Sequence, residues 1–359
     1  NDIGGIVQDE TLFAQDEVHY CGQPVALVVA TDDQTARRAS GMVVIKVSEM
    51  DVITDPREAK EKGHLLIPPR TFRMGDIDNS WKECDHIFEG RVESGAQEHL
   101  YLETQGAYAI PGGEGGMKIH SSTQGPALVQ KIAARVLGLP MNLVEVDVTR
   151  LGGAFGGKED QATGVAVMAA LASLLLDRPV KIVLQRGDDM RMTGKRHPYS
   201  ADFRIGLTAD MKIKAYKAVL YQHGGAAADL SPAIMERTLF HSTNAYFIPN
   251  TEVTVHSCRT NLPPNTAFRG FGAPQGMFVI ESAIARAAAG LKVAAHEIQK
   301  ANFLQEGDEF QYGQRATGVN IGKCYGTLAG DFHLEEIARE ISDFNDRKTI
   351  FRKGMAVMP

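Results

Sequence analysis

Residues 151–160 read Leu151-Gly152-Gly153-Ala154-Phe155-Gly156-Gly157-Lys158-Glu159-Asp160, a turn with four glycines. Glycine adopts positive φ angles readily and lets other backbone approach closely. An alternating apolar and polar segment precedes the turn (residues 142–148), and a long apolar segment without proline follows it (residues 160–176). This order predicts a strand, a glycine turn and a helix. Because a helix N-terminus carries unpaired N–H donors, the turn is a candidate anion site.

Two known phosphate motifs do not fit this turn. A Walker-type loop has Gly-x-x-x-x-Gly-Lys followed by Ser or Thr. Gly152, Gly157 and Lys158 match that pattern, but Glu159 stands where the hydroxyl residue is needed. A dinucleotide fingerprint needs Gly-x-Gly-x-x-Gly, and Ala154 interrupts it. A structural turn that packs a strand against a helix remains the alternative to a ligand cradle.

The composition is that of a globular protein with room for two or three domains. The chain has 359 residues, 43% of them hydrophobic and 23% charged, with a net charge of -6. No run of eighteen apolar residues occurs, and Lys and Arg are dispersed, so neither a membrane nor a nucleic-acid partner is expected. The four cysteines form no Cys-x-x-Cys pair, which predicts free thiols in the cytoplasm and no iron–sulfur or structural zinc site in this chain.

Three regions are predicted along the chain. Residues 1–57 are expected to hold strands at 24–30 and 43–47 around a helix capped by Asp32 or Asp33. These strands are too few for a complete sheet, which suggests that the start of this small α/β domain lies elsewhere. Residues 58–79 are a predicted polar connector, and residues 80–359 a body of mixed strands and helices.

Within the body, the apolar patterns predict several elements. Gly138 and Gly290 stand where left-handed helix caps occur. The end of the chain is expected to begin a strand and stop, which suggests truncation. The predicted helices are residues 125–137, 160–176, 274–289, 293–304 and 331–348, and the predicted strands include residues 180–184, 252–255 and 352–359.

A second glycine-rich turn, residues 261–276, resembles the first one in its composition and in its place between a strand and a helix. It follows the predicted strand 252–255 and precedes the helix that begins at Pro274. Its centre is Phe268-Arg269-Gly270-Phe271, which is either a hydrophobic clasp or one wall of a slot for a flat ligand. Two such turns in one chain favour the slot, beside an anionic cofactor.

The blocks Gly-Gly-Ala-Phe-Gly-Gly-Lys-Glu (residues 152–159) and Asn-Thr-Ala-Phe-Arg-Gly-Phe-Gly-Ala-Pro-Gln-Gly (residues 265–276) closely resemble motifs of the xanthine dehydrogenase/aldehyde oxidase family of molybdenum hydroxylases. Residues 98–104, 122–124 and 234–241 match further family motifs in the same order. The resemblance implies a mixed α/β (α+β) fold, in which a partial α/β hammerhead domain is followed by the first lobe of the molybdopterin-binding domain.

The same resemblance implies a molybdopterin cofactor at the two turns. Gln124 would donate a hydrogen bond to an oxygen ligand of molybdenum. Gly153, Phe155 and Gly156 would line the metal site, and Arg269 would also contact the cofactor. In this family the pterin dithiolene holds the metal, so no protein side chain is expected as a direct metal ligand.

Glu159 and Arg237 resemble the pair that holds opposite ends of a purine in the xanthine dehydrogenases of this family. A carboxylate accepts from purine N–H groups, and a guanidinium donates to a carbonyl and stabilises negative charge on the ring. Both are therefore candidate catalytic and substrate-binding residues. Phe271 and Phe268 are candidates for stacking on the purine. Without the other motifs, Glu159 would be a helix-terminus carboxylate and Arg237 half of a surface ion pair.

Five other residues in or near the family-like blocks are expected to support the structure rather than the chemistry. His99, His197 and His241 should be hydrogen-bonded, and Glu98 and Glu103 should anchor the surrounding loops.

The resemblance implies an assembly that hydroxylates hypoxanthine and xanthine to urate with oxygen from water. Electrons would pass through iron–sulfur clusters and FAD, on other parts of the assembly, to NAD. The family's general-base glutamate lies in the second molybdopterin lobe, so the isolated chain is expected to be inactive. The second lobe, the iron–sulfur and FAD modules, and a second copy of the assembly are the expected partners.

Three alternative functions remain. The first is an aldehyde or N-heterocycle oxidoreductase of the same family. The second is a non-catalytic module that binds the cofactor. The third is a nucleotide hydrolase, against which Glu159 already counts.

Overall fold

The computed structural model describes residues 1–347 and 350–359. The strands assigned there are β1 (Leu65–Met74), β2 (His86–Ser94), β3 (Gly106–Pro111), β4 (Met117–Ser121), β5 (Val144–Asp147), β6 (Val180–Val183), β7 (Tyr199–Leu207), β8 (Ile213–Gly225) and β9 (Asn250–Arg259). The α-helices are α1 (Asp33–Ser40), α2 (Pro56–Glu61), α3 (Ile77–Ser80), α4 (Pro126–Leu137), α5 (Ala162–Leu176), α6 (Arg186–Met192), α7 (Ser231–Phe240), α8 (Ala273–Leu291), α9 (Ala295–Ala301), α10 (Ile321–Asp331) and α11 (Leu334–Asp346).

The strands form two sheets, each with its own hydrophobic core. The first sheet has the order β5-β4-β3-β6, with β5 and β4 parallel and the other pairs antiparallel. Helices α4 and α5 pack on this sheet. Since α5 is buried on most sides, its sequence is apolar all round rather than striped.

The second sheet has the order β1-β9-β8-β7-β2, with β8 and β9 parallel and the other pairs antiparallel. Helices α7 and α8 pack on it around a core that includes Ile205, Val255 and Ile284. Each glycine-rich turn therefore belongs to a different sheet: the turn of residues 151–160 follows β5, and that of residues 261–272 follows β9.

Much of the predicted element order is confirmed. The mixed α/β fold is present, with a strand, a glycine turn, a helix and a second strand at β5, α5 and β6. Gly138 ends α4 with a left-handed φ of 68°. Asp32 caps α1, because its side chain accepts a 2.8 Å hydrogen bond from Thr35 N.

The prediction that Gly290 ends a helix is wrong. Helix α8 continues to Leu291, and Lys292 takes the left-handed cap conformation. A Cβ atom on Gly290 would lie 2.2 Å from Cε1 of Phe88, so this glycine makes room for β2 against the helix.

The predicted helix of residues 331–348 is also partly wrong. Asp331 ends α10, which the sequence analysis missed, and α11 begins only at Leu334. Position 348 lies outside the described residues.

The strands predicted at 24–30, 43–47 and 352–359 do not form. Val44 is 82% exposed, in keeping with an apolar segment that has no strand beside it. The stretch predicted as a connector contains β1, which pairs with β9 and so belongs to the second sheet. The domain boundaries at residues 57 and 79 stay a prediction. No helix in the described part of the chain is long and apolar enough to cross a bilayer.

Candidate cofactor and substrate site

The first glycine turn, residues 151–160, holds its central phenylalanine in an unusual backbone conformation. Phe155 has a φ of 56°, and Gly153 and Gly156 have φ values of 95° and 101°. Residues other than glycine rarely adopt this left-handed region, and Phe155 adopts it in a turn whose two neighbouring glycines adopt it as well. As a result, the Phe155 ring is half exposed rather than packed into the core.

Lys158 anchors this turn from within. Its side chain is fully buried, and Nζ donates to Ser122 Oγ at 2.7 Å and to Glu103 O at 2.8 Å. The Glu103 carboxylate lies 3.1 Å from Nζ and also accepts from Gly152 N at 2.8 Å. Both ends of the turn are therefore fixed to one ion pair. From the sequence, Lys158 was a candidate only for a phosphate ligand, and its anchoring role was not predicted.

The anion-binding interpretation of this turn is not supported by the structure. Lys158 is enclosed and cannot reach a ligand. Helix α5 begins only at Ala162, and its N-terminus lies beside carboxyl groups: Gln161 Nε2 donates to Asp229 Oδ2 at 2.8 Å. Burial, and then the charge of Glu159, raises the pKa of Asp160 to about 6. A phosphate at this helix end would lie beside buried carboxyl groups, Asp160 and Asp229, instead of beside free donors.

The second glycine turn, of which residues 261–272 precede α8, also holds a phenylalanine in the left-handed backbone conformation. Phe271 has a φ of 50° and lies between Gly270 and Gly272, whose φ values are 96° and 95°. A Cβ atom on Gly272 would lie 2.3 Å from the carbonyl oxygen of Ile234 in α7. This close approach of turn and helix brings Arg237, one helical turn further along α7, to the same place.

The two turns meet directly. Arg269 N donates to Phe155 O at 2.9 Å. A Cβ atom on Gly156 would lie 2.9 Å from the backbone of Ala267, so the two chains are in contact there. Residues more than a hundred positions apart thus form one continuous wall.

A cavity of about 480 Å³ opens between the turns. Eight of the nine predicted site residues line it, together with Ala267 and Gly270. The ninth, Gly153, does not line the cavity; its Cβ position is 3.3 Å from Tyr101 and 3.4 Å from the Phe155 ring. The eight are Gln124, Phe155, Gly156, Glu159, Arg237, Phe268, Arg269 and Phe271. Their roles stay predictions.

Glu159 and Arg237 are both available to a ligand. Neither side chain forms an ion pair or a hydrogen bond with another residue in the described ranges 1–347 and 350–359. Partial burial raises the pKa of Glu159, because the charged form loses water without gaining a partner. An acid and a guanidinium that line one cavity without pairing leave room for a polar ligand between them.

Phe268 differs from the other aromatic residues of the cavity because protein groups already contact its ring. The His99 imidazole stacks on it at a centroid distance of 4.6 Å, and the Arg196 guanidinium carbon lies 4.1 Å from its centroid. Arg196 was missed in the sequence analysis. No local pattern could have revealed it, because its contacts cross more than seventy residues.

The residues present fit the expected cofactor. Gln124 Oε1 accepts from Gly156 N at 2.9 Å and from Lys158 N at 3.4 Å. The amide is thereby oriented, and its Nε2 hydrogens find no acceptor in the described part of the chain, which leaves a donor for an oxygen of a ligand. Among the residues described, no group of three or more His, Cys, Asp or Glu side chains could hold a metal ion.

The residues expected to be structural are hydrogen-bonded or paired in most cases. His99 Nε2 lies 2.6 Å from Ala267 O, and His197 Nε2 lies 2.8 Å from Ser231 Oγ. Burial lowers the pKa of His197 to about 3, so it is neutral. Glu98 pairs with Lys195 at 2.9 Å. His241 was expected to be hydrogen-bonded as well, but its side chain forms no hydrogen bond within residues 1–347 and 350–359; burial lowers its pKa.

Comparison with known sequences agrees with these features. Residues 58–303 match the family model of the molybdopterin cofactor-binding domain, and residues 1–51 match that of the aldehyde oxidase and xanthine dehydrogenase a/b hammerhead domain. The whole chain is 37% identical to a xanthine dehydrogenase/oxidase of Gallus gallus, 39% to xanthine dehydrogenase 1 of Arabidopsis thaliana and 36% to xanthine dehydrogenase of Dictyostelium discoideum. It spans 26% to 27% of the length of these relatives.

Solved structures show the same fold. The aldehyde oxidoreductase of Desulfovibrio gigas superposes with a TM-score of 0.87 at 23% identity, over 98% of this chain and 40% of that one. The CO dehydrogenase of Oligotropha carboxidovorans gives a TM-score of 0.85 at 22% identity, over 96% of this chain and 46% of that one. The chain therefore belongs to the xanthine dehydrogenase and aldehyde oxidase family, and it contains that family's molybdopterin cofactor-binding domain.

Proposed function

We propose that this chain forms the purine-binding part of a xanthine dehydrogenase. The holoenzyme would hydroxylate hypoxanthine and xanthine to urate with oxygen from water. The observation that supports this most strongly is that Glu159 and Arg237, whose side chains pair with none of the described residues, line one cavity together with Phe155, Phe268 and Phe271. Because several relatives are xanthine dehydrogenases, purines are the first substrate class to test.

In this proposal the chain's own residues bind and orient the substrate. The Glu159 carboxylate accepts from purine N–H groups, and Arg237 donates to a ring carbonyl. As negative charge develops on the ring, the guanidinium stabilises it in a partly dehydrated cavity. The aromatic walls restrict the ring to a plane, so that the reacting carbon faces the cofactor.

The cofactor-facing residues complete the cavity. Gln124 presents amide hydrogens that no described residue accepts, and Gly156 stands where a side chain would collide with the Ala267 backbone. Phe155 and Arg269 lie on either side of the contact between the turns. Bound molybdopterin would supply the redox chemistry and hold the molybdenum through its own sulfur atoms. Gly153 would shape the turn through its left-handed backbone, with a φ of 95°.

The proposed assembly contains further parts. Iron–sulfur clusters and FAD on other modules would carry electrons to NAD, and the second molybdopterin lobe would close the site. We place the assembly in the cytoplasm as a dimer. The domain limits at residues 57 and 79 belong to the same proposal.

Replacing Arg237 with Met in the holoenzyme tests the substrate. We expect kcat/KM for xanthine to fall by about 100-fold or more, because a charge-assisted contact to the developing charge is lost. Turnover of an aromatic aldehyde should change much less. Arg286→Met, an exposed arginine on α8, is the matched control and should alter neither substrate. Equal losses for both substrates in Arg237→Met would contradict the purine assignment and favour an aldehyde or N-heterocycle oxidoreductase.

A further inference from the structure

Arg196 is a half-buried cation with no carboxylate partner within the described ranges of the chain. Its Nε donates to Gln97 Oε1 at 3.0 Å, and its Nη2 donates to Arg269 O at 2.9 Å. Its Nη1 is buried and has no hydrogen-bond partner in the structure. Burial also lowers its pKa. A charge held in this way costs stability, and such groups are enriched where a protein needs them for function.

Apart from the hydrogen bond to Gln97, the side-chain contacts of Arg196 lead to the second glycine turn. The guanidinium lies over the Phe268 ring at 4.1 Å and holds the carbonyl of Arg269, both of which line the cavity. The Nη1 atom lies 4.0 Å from the Cβ position of Gly270, the next residue of the turn. One planar cation thus contacts two consecutive cavity-lining residues, Phe268 and Arg269, and lies close to the third, Gly270.

The backbone around Arg196 is fixed independently of its side chain. Arg196 N donates to Gln97 O at 3.0 Å, and Thr266 N donates to Lys195 O at 3.0 Å. A Cβ atom on Gly194 would lie only 2.0 Å from the backbone of the second turn. Removing the Arg196 side chain should therefore leave the three segments joined and take away one of the two groups that contact the Phe268 ring, His99 remaining as the other.

We propose that Arg196 is a positioning residue for the cavity: it fixes the Phe268 ring and the Arg269 carbonyl, and so sets the width of the slot for a planar substrate. The part of this inference that concerns substrate affinity rests on the proposed purine function; the part that concerns the ring does not. Lysine is a poor substitute, because an ammonium cannot stack and donate to two separated acceptors at once.

The kinetic test uses the holoenzyme with Arg196→Met and Arg196→Lys. Losing the cation–π contact and the carbonyl anchor should raise KM for xanthine about tenfold in the Met variant and about threefold in the Lys variant. The kcat value should stay within about twofold, since Arg196 does not touch the reacting atoms. Arg204→Met is the matched control. Arg204 lies over the Trp81 ring at 4.3 Å, away from the cavity, and its variant should leave KM unchanged.

A second readout does not depend on turnover. The protein carries 4-fluorophenylalanine at position 268, and its ¹⁹F spectrum is recorded with Arg196, Arg196→Met or Arg204→Met. We expect the resonance to shift and change width only in Arg196→Met. If the parent enzyme does not oxidise xanthine, the proposed function fails, and the ¹⁹F spectra alone judge Arg196. An unchanged resonance in Arg196→Met, or a KM that does not rise in an enzyme that oxidises xanthine, would overturn the inference.

Discussion

Phe155 and Phe271 both hold left-handed backbone conformations at the cavity. Each costs about 1 kcal/mol or more in a residue other than glycine, and such strain persists only where the surroundings enforce it. Here the enforcing contacts are those of neighbouring glycines, Gly156 against Ala267 and Gly272 against Ile234. The strain therefore serves to present two phenyl rings to one cavity.

Gly156→Ala tests this reasoning. The new methyl group would meet the Ala267 backbone at 2.9 Å, at a φ of 101°. We expect a loss of about 2 kcal/mol in the free energy of unfolding and a lower molybdenum content per chain in the purified holoenzyme. Gly187→Ala, in α6 with nothing near its Cβ position, is the control and should be neutral or stabilising. Full cofactor content and normal stability in Gly156→Ala would show that the turns do not touch.

Glu159 predicts a pH dependence. Because burial raises its pKa, the carboxyl becomes protonated at a higher pH than an ordinary Glu, and only the ionised form accepts a purine N–H. We expect kcat/KM for xanthine to fall as the pH drops through this raised pKa. Glu159→Gln should lower kcat/KM about 10-fold to 100-fold and abolish that limb of the profile.

The raised pKa of Glu159 also predicts how the free energy of unfolding depends on pH. A carboxyl with a raised folded-state pKa destabilises the protein above that pKa and has no such effect below its ordinary value. Glu159→Gln should therefore raise the free energy of unfolding at neutral pH while it impairs binding. Glu340→Gln, on α11, is the control for both measurements. A Glu159→Gln enzyme with the parent pH profile would remove Glu159 from the site.

At the scale of elements, the ion pair of Lys158 and Glu103 is the main contact that holds the first turn in place. Lys158→Met should cost about 3 kcal/mol in the free energy of unfolding. This lies at the low end for a buried pair, because the Glu103 side chain is 45% exposed. Urea denaturation of the chain checks it, with Lys181→Met, an exposed lysine on β6, as control. Equal stability of the two variants would contradict the anchoring role.

Elements with strong local patterns could be predicted from the sequence. Apolar periodicity and Gly138 predict helix α4. Alternation of apolar and polar residues predicts the strands beside the first turn. The helix end predicted at Gly290 was wrong because a glycine that makes room for Phe88 looks the same in sequence as a glycine that caps a helix. The strand patterns before residue 48 failed because a strand needs partners, and local alternation does not supply them.

More of the candidate site than of the fold could be predicted from the sequence. Motif resemblance identified eight residues that line one cavity. It did not reveal Lys158 as an anchor or Arg196 as a wall support. Both roles arise from tertiary contacts, and a buried lysine or arginine has no sequence signal that separates it from an exposed one.

At the scale of the whole molecule, two units with separate cores create the site where they meet. The first unit supplies Phe155 and Glu159 from the turn after β5, and the second supplies Arg237 from α7 and Phe271 from the turn after β9. The N-terminal segment joins both units: Ile3 and Leu12 pack into the first core, and Asp9 accepts from the backbone of the second unit.

The most direct measurement of this convergence is a crystal structure of the holoenzyme with a slowly reacting purine bound. We predict that the ring lies in the cavity with the Glu159 carboxylate and the Arg237 guanidinium within hydrogen-bond distance of its opposite ends and Phe271 against it. A purine bound elsewhere, or one contacted by only one of these two charged groups, would contradict the account.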